Sequence, residues 1–418
     1  MPSLYFVANT TLVAAPSDAN DGKDRFGFAI DDGQFTAGRG LVKVGAFSGY
    51  THAAGDVVAI NDRADPPVWA WYEIDSKADD DTLVLGDLVF GTDIHNDSST
   101  INVDSSDGPF ATVGEALSAV DSAGDGSEAR ICDDGTHTTG STLTLTSSGS
   151  SSSPNILAGA TARGHLVQGG GGTLATIQAT GEFDGTLLVT QSDTGIRHLD
   201  LDANNLASTG LSLARESQTF AVEVHGATGN GVSMGAASRA FRIKSYNNGS
   251  SGFSPGTSNS WWIDQCLVDN NATEGVRTFG NSLRGSVTNS ILSNNGDEGI
   301  FLGHGAGAII AGNVFYNNGS SGLRIFSNGE NTVVANNTSV ENGGHGYQGQ
   351  ARSLFAHNHS HSNTSGHLSQ AADADFLAFG QGSNVTGDPL FKDADNGDFT
   401  PQEGSPLLNA GIDAGGLT

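Results

Sequence analysis

From residue 247 onward the chain repeats a polar turn that closes on a glycine and one large apolar residue. The copies are residues 247–253 (NNGSSGF), 270–276 (NNATEGV), 294–300 (NNGDEGI), 317–323 (NNGSSGL) and 341–347 (ENGGHGY). Their glycines, Gly252, Gly275, Gly299, Gly322 and Gly346, stand 23, 24, 23 and 24 residues apart, and weaker copies continue through Gly210, Gly231 and Gly366. No helical period runs through the repeat. Short β-rich runs such as Trp261-Trp262-Ile263, Ala308-Ile309-Ile310 and Thr332-Val333-Val334 alternate with Asn, Gly and Ser turns, which reads as strands and bends.

A repeat of this length is too short for a helix pair and fits one coil of a parallel β-solenoid, with three short strands that each pair with their equivalents about 4.8 Å away. Aligned apolar positions then stack inside the coil. One such column is Val232, Phe253, Val276, Ile300, Leu323 and Tyr347; a second is Leu267, Ile291 and Val314. Asparagine recurs four residues before each shared glycine (Asn248, Asn271, Asn295, Asn318, Asn342). It accepts left-handed bends, and its amides can hydrogen-bond along the stack. Of 31 asparagines, 20 lie between Asn230 and Asn363, so the bias follows the repeat. About 10 coils of 20–25 residues are expected.

Composition narrows the function. The 418 residues carry 46 acidic against 18 basic side chains, a net charge of −28. With no Lys/Arg cluster to displace counterions from phosphates, nucleic acid is excluded as a partner, and anionic membranes are disfavoured. No apolar run approaches a membrane span. Cys132 and Cys266 match no metal spacing, and their pairing is left open. The first residues show no basic and apolar leader. The expectation is an intracellular protein, or one that reaches the exterior by another route, such as release with a virus particle.

Residues 108–117 (GPFATVGEAL), followed much later by residues 388–391 (DPLF), 396–399 (NGDF) and 404–406 (GSP), resemble the entry and closing motifs of the right-handed parallel β-helix superfamily, which includes pectate-lyase-like enzymes and phage tailspikes. The resemblance covers the chain from Asp107 onward. It implies an all-β, right-handed parallel β-helix with a short capping helix near residues 109–120. Residues 5–9 (YFVAN) and 17–22 (SDANDG) look like the family's opening, and about 85 residues then intervene. This departure implies an extra small β-barrel or β-sandwich, a possible attachment domain, over residues 1–96. The β-helix is expected over 97–384 and a closing segment over 385–418.

Arg242-Ile243-Lys244 and Gly303-His304-Gly305 look like polygalacturonase signatures, but their order is reversed and no upstream Asp pair accompanies them; with Gly344-His345-Gly346, a repeat-register glycine with a histidine beside it, they read as coincidence. Glu274 and Glu298 share a repeat column, with Asp297 beside them, and would stack on adjacent coils. Carboxylates so close raise one pKa or recruit a cation such as calcium. Arg277 and Arg324 align around Phe301, a set suited to an acidic sugar. A solvated bend, a glycan or calcium contact, and a catalytic pair all fit this pattern. His357, His359 and His361 alternate on one strand face, as a weak metal set with His367 or as an exposed polar strand. Asp393, Asp395 and Asp398 lie in a loop of calcium-like composition that misses the EF-hand spacing, so an Asx-turn competes. Trp261 and Trp262 are strand neighbours, so one faces outward as a sugar platform or an interface.

Two functions follow. One is a structural or adhesive spike, tailspike-like, on a virus particle, touching surface glycans and other virion proteins, with a homotrimer as its possible state. The other is an extracellular polysaccharide lyase, glycoside hydrolase or epimerase.

Overall fold

A computed structural model describes residues 4–7, 30–36, 40–42, 57–61, 69–79, 82–91, 101–105, 112–123, 126–132, 136–146, 154–160, 174–183, 185–256, 260–278, 284–304, 307–328, 331–349, 353–370 and 384–408. The chain divides into two compact units. The first comprises Met1–Thr139, Leu143–Gln178 and Thr194–Asp200; the second comprises Gly140–Thr142, Ala179–Asp193 and Leu201–Thr418.

In the first unit, strands Ile30–Thr36, Gly40–Val42, Thr82–Gly91, Trp69–Asp79, Val57–Asn61 and Ile101–Ser105 close, in that spatial order, into a barrel. Its strands pair antiparallel. Leu4–Val7 instead pairs in parallel with Glu128–Cys132, and that strand pairs in turn with Asn155–Ala160. One helix, Val113–Ala123, buries Val113, Ala116, Leu117 and Val120 against Leu4–Val7, Glu128–Cys132 and Leu143–Leu145. Its start is capped by Thr112, whose Oγ1 accepts the Glu115 N–H at 3.3 Å.

The second unit is a parallel solenoid of about eight coils. Each coil gives one strand to each of three sheets. Counting strands wholly within this unit, the first sheet runs from Gln218–Phe220 to Leu354–Ala356, the second from Thr186–Thr190 to Gly366–Gln370, and the third from Glu223–His225 to Val385–Thr386. Pairing follows the sequence repeat. Val232 sits over Phe253, then Val276, Ile300, Leu323 and Tyr347, and all six side chains are buried.

The other expected core column is in register but faces outward. Leu267, Ile291 and Val314 stack on one another and are only half-buried, while Val268, Leu292 and Phe315 fill the interior. The cause is the bend before each strand. Gln265 and Asn289 take left-handed backbone (φ 54° and 50°), and Cys266 and Ser290 then turn inward. The extra step resets the in–out alternation by one residue.

The paired asparagines divide their work. The first of each pair, Asn247, Asn270, Asn294 and Asn317, adopts φ between 50° and 54° at the bend, where Asn is tolerated better than most residues. The second points inward and is buried. Asn248, Asn271, Asn295 and Asn318 each donate Nδ2 to the Oδ1 of the next amide at 2.9–3.0 Å, and Asn342 does the same to Asn363 at 2.8 Å. Each Oδ1 also accepts the backbone N–H of the preceding ladder asparagine, as Asn318 does from Asn295 at 3.2 Å. A second ladder runs from Asn313 through Asn337 and Asn358 to Asn384.

Asn318→Ala strands the Asn295 amide and the Leu292 carbonyl inside the coil, so a loss of about 3 kcal/mol is expected. Asn317→Gly, which keeps the bend, should shift stability by less than about 1 kcal/mol. Denaturant unfolding of both variants checks the contrast.

Candidate functional site

Glu274 and Glu298 each stand immediately before a glycine of the repeat. A Cβ on Gly275 would sit 2.6 Å from the Gly299 carbonyl oxygen, and one on Gly299 would sit 2.6 Å from that of Gly322. The coils therefore close tightly at this bend, with the glycine positions facing the interior at Asn295 and Leu292 and at Phe315 and Asn318, and the preceding glutamates are covered on the arginine side. Glu274 is 3% and Glu298 2% exposed, which corrects the solvated bend of the sequence reading.

Each buried carboxylate has an arginine partner. Arg277 Nη1 lies 2.9 Å from Glu274 Oε1, and the Ser251 hydroxyl donates to Glu274 Oε2 at 3.0 Å. Arg324 Nη1 donates to Glu298 Oε1 at 3.1 Å, as does Ser320 Oγ at 3.3 Å. Carboxylate oxygens of Glu274, exposed Asp297 and Glu298 all lie within 4.8 Å of one another, the only such group of potential metal ligands among the described residues. Burial pushes the Glu298 carboxyl above its ordinary range; Asp297 adds to the rise, and Arg324 opposes it. Three close oxygens suit a hard cation such as calcium, which would compete with arginines already holding two of the three carboxylates.

Outside the carboxylates lies a rail on the second sheet. Arg277, Phe301 and Arg324 are in register on three successive coils. The two guanidinium carbons lie 5.7 and 5.5 Å from the Phe301 ring centre. Phe326, absent from the sequence-derived set, adds a 43% exposed ring 5.6 Å from Arg324. Its lone position outside the repeat columns gave no signal. On the neighbouring bend, a groove of about 450 Å³ is lined by Asn205, Asn247, Asn270, Asn294 and Gly296 among others.

The remaining candidates lie apart. Trp261 is buried and Trp262 half-exposed, as strand alternation requires, but both belong to the first sheet, away from the carboxylates. Arg242 and Lys244 likewise lie away from the second-sheet strands that carry His304 and His345. Asp393 accepts the Asn396 amide, Asp395 accepts the Tyr316 hydroxyl at 2.6 Å, and Asp398 pairs with Lys392 at 3.0 Å. Cys266 is a free, buried thiol whose pKa burial pushes up to about 12. The Cys132 side chain lies outside the described residues.

The histidines do not form an exposed strand. His359 is buried because the C-terminal segment folds over the third sheet. Its Nε2 lies 2.7 Å from the Gly387 carbonyl oxygen, and Phe399 packs edge-on against Tyr316. His361 is half-buried and His367 exposed.

Residues 184–378 match a family model for a right-handed β-helix region. Among solved structures, pectate lyase Pel9A aligns with a TM-score of 0.53 at 17% identity, over 74% of this chain and 88% of that one. The A-module of the Azotobacter vinelandii mannuronan C-5 epimerase AlgE4 aligns at 0.50 and 16%, over 66% and 90%. A Geobacillus virus E2 protein, ORF18, aligns at 0.42 and 12%, over 66% and 57%. No curated protein matches the chain in sequence. At these identities the likeness is one of fold.

Burial lowers the His359 pKa to about 4; the Gly387 carbonyl and Asp388 pull it up, and His361 and His367 push it down. The unfolded chain takes up this proton near pH 6.5, so between 6.5 and 4 it binds more protons than the folded chain. Stability should therefore fall as pH drops through that window, by at most about 3 kcal/mol. Thermal unfolding from pH 7 to 4 checks this, and His359→Gln should flatten the dependence.

Proposed function

We propose that this chain, which has a right-handed parallel β-helix fold, binds an acidic polysaccharide along the Arg277–Phe301–Arg324–Phe326 rail. The observation that carries this reading is the in-register pair of half-exposed arginines, each braced from behind by a buried glutamate. Bracing removes much of the rotamer entropy a free arginine loses on binding. The outward N–H groups can then fork a sugar carboxylate, while the two phenyl rings offer apolar faces to sugar C–H groups. The asparagine-lined groove next to the rail supplies amides for neutral hydroxyls. Two solved structures of like fold, aligning at 0.50 and 0.53, are named for mannuronan and pectate, which agrees with a uronate polymer.

In the biological setting we favour, the protein is an adhesive spike exposed on a virus particle or otherwise outside the cell, attached through its N-terminal domain to other virion proteins and assembled as a homotrimer. Among the described residues no helix is long and apolar enough to cross a membrane.

A second reading, a polysaccharide lyase, hydrolase or epimerase, draws on Glu298. A carboxyl whose pKa burial pushes above its ordinary range, beside two other carboxylates, is the arrangement in which one acts as acid and another as base. A calcium ion at Glu274, Asp297 and Glu298 would serve either reading by bridging to a sugar carboxylate.

Calorimetric titration with an oligogalacturonate should show binding that Arg277→Ala with Arg324→Ala weakens at least tenfold, and a neutral maltooligosaccharide should not compete. Equal binding by parent and variant would remove the rail from the account. Release of an unsaturated, ultraviolet-absorbing product, lost in Glu298→Gln, would select the lyase reading.

A further inference from the structure

The Arg-Ile-Lys triplet that the rail leaves unused sits at a different corner of the coil, between the first and third sheets. There Gln218, Arg239 and Trp262 form one outward column of the first sheet, and Phe220, Phe241 and Asp264 form the next. Arg242 follows Phe241 at the bend, with left-handed backbone (φ 55°), so its side chain leaves the corner rather than continuing the strand. Ile243 turns inward and is buried, which anchors the bend.

Aromatic rings hold both arginines. The Arg239 guanidinium carbon lies 4.9 Å from the Trp262 ring centre. That of Arg242 lies 5.1 Å from Phe241 and 5.9 Å from Phe220, whose own rings are 5.5 Å apart. Arg242 Nε donates to Gln265 Oε1 at 3.0 Å. Both arginines are exposed. Arg215, Arg277 and Arg324 each pair with a glutamate, whereas among the described residues no carboxylate pairs with Arg239 or Arg242. Lys244, just past the bend, is held by Glu223 at 3.3 Å and lies over Tyr246.

We propose that Arg239, Arg242 and Trp262 form a second anion-binding site, separate from the rail, for a carboxylated or sulfated glycan. A guanidinium over an aromatic ring keeps its charge and its in-plane N–H donors, the geometry that carboxylate and sulfate match in a two-pronged fork. Two such groups three residues apart present forks within about 10 Å of each other, which suits a polymer with recurring charge. In a chain of net charge −28, two cations without acidic partners form a local positive spot that draws an anion against the overall field. The charged area covers about three coils by four residues, on the order of 100 Å² from strand spacing and rise, far below the roughly 800 Å² per partner of a stable protein interface. Beyond Trp262 the column turns uncharged, through Ser286 to Ile309.

The test is a titration of the full chain with oligogalacturonate and, separately, with a dextran sulfate oligosaccharide, read by tryptophan fluorescence and by calorimetry. Trp262 reports this corner, and the rail contains no tryptophan. The expected result, with at least one probe, is a saturable fluorescence change whose midpoint moves at least tenfold in Arg239→Gln with Arg242→Gln and stays put in Arg277→Ala with Arg324→Ala. Trp262→Phe should lose the signal yet still bind by calorimetry. The rail can fail its own test while this site passes, because the two pairs of variants are read independently. A parent-like titration in Arg239→Gln with Arg242→Gln, a change lost only in the rail variant, or no binding of either probe at millimolar concentration overturns the proposal. So does self-association that depends on Arg239 and Arg242 without saccharide, which would make the corner a protein contact.

Discussion

The constraint on which the solenoid depends is the placing of each coil's residue over its equivalent in the next, and the buried amide ladder enforces it most strictly. A one-residue slip would not merely misalign apolar groups. It would leave a row of interior amides without partners, at about 1–3 kcal/mol for each unsatisfied group. Apolar columns alone tolerate shifts among Val, Ile, Leu and Phe. A hydrogen-bonded chain from Asn248 to Asn363 tolerates none, so it fixes the register while the apolar columns supply the burial.

The chemistry of the second sheet follows from the same stacking. Gly275 and Gly299 let neighbouring coils meet at van der Waals limits, and the two glutamates before them are buried beneath the arginines of the second sheet. Burial on that scale is tolerable only with partners. Arg277 and Arg324, one strand position beyond the bend, supply them. The rail is thus a by-product of satisfying two interior charges, with Phe301 between the arginines and Phe326 at the end. The corner of Arg239 and Arg242 is built differently, from rings instead of carboxylates, and its positive charge stays uncompensated.

Much of this was legible in the sequence. The glycine period located the coils, the paired asparagines located both the left-handed bends and the inner ladder, and Val232 to Tyr347 named the core column. The Arg277–Phe301–Arg324 alignment was visible because it needs only the period. What escaped depended on quantities that a period does not carry. The in–out phase of Leu267, Ile291 and Val314 was lost because a left-handed residue at the preceding bend shifts alternation by one. The burial of Glu274 and Glu298 comes from the arginines and the neighbouring-coil serines that cover them, and polarity alone argued the opposite. The burial of His359, which fitted neither a weak metal set nor an exposed polar strand, escaped because the strand covering it comes from a segment with no repeat of its own. The basic corner is not legible in the Arg242-Ile243-Lys244 triplet because its meaning lies in Phe220 and Trp262, contributed by neighbouring coils.

The most direct test of the stacking is a nuclear Overhauser experiment on chain labelled selectively at asparagine. The account predicts cross-peaks linking the side-chain amides of Asn248, Asn271, Asn295, Asn318 and Asn342 in sequence, each to its neighbour 23 or 24 residues away, with slow exchange against solvent. Amides that exchange freely, or cross-peaks that join them in any other order, would contradict it.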